Sequence, residues 1–191
     1  MHIGLYFGSF NPIHTGHLLV AEHVVSHTDV DKIWFVVSPH NPLKDSASLL
    51  NEYDRLHLVE LAIEDNPGFR ASNVEFSLPK PSYTIDTLTY LAEKFPFETF
   101  SVVMGGDSFA NLKRWKNWEQ LVARHRLIVY GRPGFDPEPL PGANVTYLDD
   151  APQIHLSASY IRKEIAAGRS TRYLVHDAVR EYIEDNRYYK K

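Results

Sequence analysis

Short apolar runs alternate along the chain with longer segments whose apolar residues recur every three to four positions, the signatures of strand and helix respectively. Ile3-Gly4-Leu5-Tyr6-Phe7 predicts a buried strand, and Leu18, Leu19, Ala21, Glu22, Val24 and Val25 then follow at helical spacing. Ile33 to Val37 is a second strand, stopped by Ser38-Pro39. Glu52 to Ile63 predicts a helix with Asn51 as its N-cap and Pro67-Gly68 ending it. Phe69 to Phe76 reads as extended, and Ser82, after Pro81, as the cap of a helix reaching about Lys94. Phe100 to Met104 is a strand that runs into Gly105-Gly106-Asp107, and Asp107 can also cap the next helix. Short helices are expected around Phe109 and from Asn117 to Ala123, then a strand at Leu127 to Tyr130. Gly131 to Gly142, rich in proline and glycine, reads as a surface loop. Val145 to Leu148 is the last strand, with helices at Ser159 to Ala167 and His176 to Asp185. The expected fold class is α/β, a doubly wound parallel sheet with helices on both faces. Ligands of such sheets bind outside the carboxyl ends of the strands.

Composition narrows this picture. A chain of 191 residues with 43% hydrophobic residues can bury one good core. With no repeat, low-complexity segment or linker, residues 1–191 read as a single domain. The lack of cysteine excludes a disulfide framework, a thiolate nucleophile and cysteine-rich zinc sites, and suits a reducing cytoplasm. Met1 leads straight into a strand, without the basic and apolar regions of a secretory signal. No apolar run approaches the eighteen or so residues of a membrane span. The net charge of −4 argues against a broad nucleic-acid surface. Polyanionic substrates would have to be held by a local constellation.

The segment Gly8-Ser9-Phe10-Asn11-Pro12-Ile13-His14-Thr15-Gly16-His17 offers one, because it joins the first strand to the first helix. A helix amino terminus presents unpaired N–H groups and about half a positive charge, which together favour an anion. Gly8 and Gly16 would let a phosphate approach the backbone, and His14 and His17 would add donors toward it. Turn chemistry alone accounts for Gly8 and Pro12, and two histidines three apart also suit a surface pair or two metal ligands.

Taken whole, this segment resembles the signature of the nucleotidylyltransferase superfamily, which also includes the H-I-G-H loop of class I aminoacyl-tRNA synthetases. Leu156-Ser157-Ala158-Ser159-Tyr160-Ile161-Arg162 is similar to its second element, an I-S-S-T-x-I-R segment, with the middle hydroxyl lost at Ala158. Three more segments resemble the bacterial nicotinate-nucleotide adenylyltransferase family within that superfamily. They are Ser38-Pro39-His40-Asn41-Pro42-Leu43-Lys44, Pro81-Ser82-Tyr83-Thr84-Ile85-Asp86-Thr87-Leu88, and Gly105-Gly106-Asp107-Ser108 followed by Trp115. The resemblance runs from Met1 to about Tyr182, and the terminal Arg187 to Lys191 carries no assignment.

This resemblance implies a Rossmann-like fold and adenylyl transfer from ATP to nicotinate mononucleotide, with pyrophosphate as the second product. His14, His17 and Arg162 would be catalytic. Gly8, Ser9, Phe10, Gly16, Gly105, Asp107, Ser157, Ser159 and Ile161 would join them around ATP. Lys44, Ser82, Tyr83, Thr84 and Trp115 would hold the mononucleotide. Mg²⁺ is expected with ATP and no metal on protein side chains. Neither nucleic acid nor membrane is expected as a partner, and a homo-oligomer is possible. Two rivals stay open: pantetheine-phosphate adenylyltransferase, which shares both end motifs, and a non-catalytic metal-binding or regulatory module using His14, His17 and His40.

Overall fold

A computed structural model describes residues 1–39, 49–132, 134–135 and 138–190. The extended runs become β1 (His2–Gly8), β2 (Lys32–Val37), β3 (Phe69–Ser72), β4 (Thr99–Gly105), β5 (Arg126–Tyr130) and β6 (Val145–Leu148). They form one sheet in the order β3-β2-β1-β4-β5-β6, and every neighbouring pair is parallel. Both faces of such a sheet must be covered, which is why its strands are apolar at successive residues rather than alternate ones. Ile3, Leu5, Trp34, Val36, Val102, Met104, Leu127 and Val129 enter one core; Tyr6, Ile33, Phe35, Val37, Val103, Ile128 and Tyr130 enter the other.

The helices divide between these two layers. The second core is covered by α1 (Thr15–His27), α2 (Glu52–Ile63), α6 (Ala158–Ala166) and α7 (Asp177–Asp185), through Val24, Leu58, Ile161 and Val179 among others. On the opposite face lie α3 (Thr84–Lys94), α4 (Gly106–Ala110) and α5 (Trp118–Arg124), contributing Leu88, Phe109 and Leu121. The chain winds outward from β1 to β3, crosses to β4 on the other side of β1, and winds outward again. The strand order therefore reverses between β1 and β4. A crevice opens at that point in doubly wound sheets, and both glycine-containing turns of the sequence lead into it.

Two local expectations are corrected. The extended stretch stops at Ser72, and Val74–Ser77 forms a 3₁₀ turn in which Phe76 N–H donates to Asn73 O at 2.9 Å. That turn points Glu75 inward, where it is buried and accepts from Ser82 Oγ at 2.8 Å and Thr87 Oγ1 at 2.9 Å. With its hydroxyl committed to Glu75, Ser82 does not cap α3; the helix starts two residues later, with Tyr83 at the cap position. By contrast, Asn51 caps α2 as expected, its side chain accepting from Tyr53 N–H at 2.9 Å.

Candidate active site

At the carboxyl end of β1 the backbone turns through Phe10, whose φ of +44° lies in the left-handed region that costs a residue with a Cβ. The strain is offset by burial, because the Phe10 ring packs edge-on against Tyr6, Phe35 and His17. A Cβ at Gly8 would lie 2.8 Å from that ring, so the turn requires glycine. Ile13 is fully buried, and His14 then ends the loop as the N-cap of α1.

The two histidines form one unit. Their rings stack with centroids 3.7 Å apart, and His14 N–H donates to His17 Nδ1 at 3.2 Å. As the acceptor, Nδ1 of neutral His17 bears no proton, which places the ring proton on Nε2. A Cβ at Gly16 would come within 3.1 Å of the His14 ring, which would have to shift by a few tenths of an ångström to admit it. His14 is buried, and that burial, with a smaller contribution from the Arg132 charge, lowers its pKa to about 4. Near neutral pH it is therefore an uncharged hydrogen-bonding group.

Arg132, Tyr6 and Tyr130 line the same cleft, together with His14, Gly16 and His17. Tyr6 and Tyr130 share a hydroxyl hydrogen bond of 2.9 Å, and Arg132 Nη2 donates to the Tyr130 hydroxyl at 3.4 Å. Burial pushes the Tyr6 hydroxyl well above its ordinary pKa. Arg132 Nε lies 3.7 Å from Asp107 Oδ1, and a Cβ at Gly105 would approach that same oxygen to 2.5 Å. Gly105 and Asp107 thus stand beside the cleft, at the end of β4. Sequence reasoning missed Arg132 because it sits in the proline- and glycine-rich loop. The two tyrosines carried a usable signal, since a hydroxyl on a strand buried on both faces must find a partner.

The carboxyl-terminal motif begins α6. Ser157 is its N-cap, its Oγ accepting from Tyr160 N–H at 3.1 Å. Arg162 reaches across from the helix: Nη1 donates to Asn11 O at 2.8 Å and Nη2 to Ser159 Oγ at 3.3 Å. Segments 151 residues apart are thereby joined by one side chain. Two expected ATP ligands differ from the rest: the side chains of Phe10 and Ile161 are core, so only their backbone is available to a nucleotide. Ile161 is turned inward because it shares a helix face with Ile165, four residues on, and both pack into the core.

Two residues without a sequence assignment fix this loop. Arg55 has no exposed surface, and it donates to Leu50 O at 2.9 Å, Ser9 O at 2.6 Å, Ser38 O at 2.8 Å and Pro39 O at 2.9 Å. It clamps the ends of β1 and β2 together from beneath. Tyr189, in the tail that carried no assignment, donates its hydroxyl to Asn11 Oδ1 at 2.7 Å, and burial pushes its pKa up.

Of the residues expected at the acceptor, Ser82, Tyr83 and Thr84 lie at the start of α3. Its first N–H groups have no intrahelical acceptor, as at any helix start. Lys116 pairs with Asp86 at 2.7 Å and lies 4.8 Å over the Tyr83 ring, which brings the segment of Trp115 to the first turn of α3. Trp115 is half-buried against the core of that face. Ser82 is held beneath by Glu75, whose pKa is raised by burial. Lys44 and His40 lie outside the described residues.

Known proteins match this architecture over its whole length. Residues 5–164 match the family described as cytidylyltransferase-like. A relative from Cytophaga hutchinsonii, described as a probable nicotinate-nucleotide adenylyltransferase, is 48% identical and covers 99% of this chain and 98% of its own. One of the same description from Flavobacterium psychrophilum is 44% identical over 100% of both chains. Among solved structures, a Plasmodium falciparum nicotinic acid mononucleotide adenylyltransferase complexed with NaAD superposes with a TM-score of 0.81, over 98% of this chain and 97% of that one. At 21% identity that likeness establishes the fold alone. The sequence relatives carry the finer assignment, and the chain belongs to the cytidylyltransferase-like family, in its nicotinate-nucleotide adenylyltransferase branch.

Proposed function

We propose that the chain transfers the adenylyl group of ATP to nicotinate mononucleotide, giving nicotinate adenine dinucleotide and pyrophosphate on the route to NAD. The observation that carries this reading is the junction of the two motifs: Arg162 bound to the carbonyl of Asn11, beside the stacked His14 and His17, at the point where the strand order reverses.

A phosphate oxygen of the mononucleotide attacks the α-phosphorus of ATP. The bond from that phosphorus to the bridging oxygen breaks, and the electron pair leaves with pyrophosphate. A phosphomonoester has a second pKa near ~6, so the nucleophile is already largely dianionic at neutral pH and needs no general base. The protein must align two anions that repel each other and stabilise charge on the transferring and leaving oxygens. His17, with its proton on Nε2, and uncharged His14 serve as donors to those oxygens. A neutral donor stabilises charge that develops during transfer without holding the ground-state triphosphate as firmly as a cation would. Arg162, with a planar fork suited to paired phosphate oxygens, holds the β- and γ-phosphates with Ser157 and Ser159. Gly105 and Asp107 meet ribose hydroxyls. Among the described residues, the side chains lining this cleft offer imidazole, hydroxyl, amide and guanidinium groups, and the carboxylate of Asp107, beside it, lies 3.7 Å from Arg132. That set suits phosphate oxygens rather than a cation. Mg²⁺ arriving with ATP would be held mostly by phosphate oxygens and water rather than by these side chains, and would supply charge neutralisation on the triphosphate.

Selectivity for the acceptor rests on the start of α3. N–H groups near Tyr83 and Thr84 donate to the nicotinate carboxylate, Trp115 stacks on the pyridine ring, and Lys44 neutralises the acceptor phosphate. An amide in place of the carboxylate would set an NH₂ against an N–H donor. An unsatisfied buried group costs roughly 1–3 kcal/mol, more when a charged partner is lost as here, and from about 1.4 kcal/mol upward the preference is at least about tenfold. No helix among the described residues is long and apolar enough to cross a membrane, and a chain without cysteine suits the cytoplasm, where we place the reaction.

Pyrophosphate release from ATP, measured with nicotinate mononucleotide, nicotinamide mononucleotide and phosphopantetheine in parallel, tests the proposal. The expected result is highest efficiency with the nicotinate compound. Equal efficiency with the first two, or preference for the amide, overturns the acceptor assignment. Release only with phosphopantetheine would establish the rival enzyme.

A further inference from the structure

The helix that carries the active-site histidines carries a second histidine pair, His23 and His27, on the side facing the connection between β6 and α6. Their rings stack with centroids 3.9 Å apart and planes inclined by 17°. His27 Nδ1 lies 3.0 Å from the carbonyl oxygen of His23. A carbonyl can only accept, so Nδ1 of His27 bears the proton and Nε2 keeps a lone pair. Metal-ligating histidines are commonly held in this way, by donating the other ring N–H to a backbone carbonyl. His23 Nε2 faces Asp150 Oδ1 at 3.2 Å. That spacing is close to the edge, about 3.3 Å, of a tetrahedron of ligands bonded at ~2.0–2.1 Å to zinc. One ligand atom from each of His23, His27 and Asp150 lies within 4.8 Å of the other two.

We propose that His23, His27 and Asp150 bind a divalent transition-metal ion of the zinc class, separate from the nucleotide site. Two histidines at i and i+4 on one helix face are a recurrent zinc-binding arrangement, and a carboxylate oxygen makes the third ligand. Imidazole ligands select zinc, nickel or cobalt over magnesium or calcium, whose preferred ligands are oxygens. His23 is buried, whereas His27 and Asp150 are exposed, so an ion can enter from solvent and keep water in a fourth position. A plain ion pair between His23 and Asp150 explains their contact, with His27 held by its ring stack and its bond to His23 O. An ion adds a ligand role for His27 Nε2, and the exposed His27 ring must turn out of the stack to bring its lone pair to the ion.

Placement gives the site a consequence. His23 lies about 9 Å along the helix axis from His17. Asp150 begins the segment whose Pro152, Gln153, Ile154 and Leu156 form one wall of the cleft beside His14 and His17. A bound ion would pin that wall to α1 without touching the nucleotide.

The test uses metal alone. Protein stripped with a chelator is titrated with Zn²⁺ by calorimetry, and with Co²⁺ while following its visible absorption. The expected result is one ion per chain, with the intense bands of four-coordinate Co²⁺, and a higher melting temperature with Zn²⁺. Both effects are lost in His27→Ala and Asp150→Asn, which change exposed side chains and should leave folding unaltered. They persist in His17→Ala, which removes the other stacked pair. No stoichiometric binding, binding undiminished in the first two variants, or binding lost in His17→Ala would each overturn the proposal. None of these readouts depends on which acceptor the enzyme uses.

Discussion

The loop between β1 and α1 and the turn before α3 each present a helix amino terminus at the same edge of the sheet, but they are held in place differently. The first is tied to remote parts of the chain: Arg55 grips Ser9 O, Arg162 grips Asn11 O and Tyr189 grips Asn11 Oδ1. The second is held largely by its sequence neighbours, with Ser82 and Thr87 meeting on the buried carboxylate of Glu75. Long-range ties fix positions against several elements at once, which suits the end of the cleft where phosphorus is transferred and small displacements are costly. Local ties hold one helix start relative to one turn. That suffices to read the charge on an acceptor, and it leaves this end free to vary separately.

If this contrast is right, substitutions at the first end should damage chemistry and those at the second should damage acceptor binding. His17→Ala should lower kcat by two or more powers of ten while ATP binding changes less, because losing a donor to developing charge costs about 3 kcal/mol of transition-state stabilisation. Steady-state kinetics at saturating substrates measure it, and near-parental kcat would remove His17 from the mechanism. A smaller effect is expected for Arg162→Lys. A point charge cannot grip phosphate oxygens in pairs or hold Asn11 O and Ser159 as well, so the Kd for ATP should rise roughly tenfold. Unchanged ATP affinity would confine Arg162 to a structural role. The smallest change belongs to Trp115→Ala, which removes stacking worth roughly 1 kcal/mol and should raise KM about fivefold for both pyridine mononucleotides. Selectivity between them should survive. A change in kcat without a change in KM would dissolve the contrast between the two ends.

Much of this was legible in the chain. Strands buried on both faces announce themselves as apolar runs, and Val145–Leu148 and Glu52–Ile63 stand where the pattern put them. Both motifs were legible because glycine, histidine and serine at helix starts have few other reasons to cluster. The 3₁₀ turn at Val74–Ser77 was not, since Val74 and Phe76 alternate as a strand would, and only the tertiary partners of Glu75 turn the chain there. Arg55, Arg132 and Tyr189 escaped notice for a different reason. Arginine and tyrosine outside a motif read as surface, and the oxygens that Arg55 and Tyr189 meet, like the Asp107 carboxylate beside Arg132, belong to segments far along the chain. Phe10 and Ile161 show the converse, motif members whose side chains pack the core and leave only their backbone to a nucleotide.

The hydrogen bond from Tyr189 to Asn11 spans 178 residues, so one partner of this bond leaves the ribosome long before the other. At ~5–20 residues per second the interval is roughly 10–35 s. For most of it the first loop has neither Arg162 nor Tyr189, although the residues of β1, β2, β3 and Arg55 have already been synthesised. The nucleotide loop can thus be seated only as translation reaches the last helices, which also supply the core beneath it through Ile161, Val179 and Ile183.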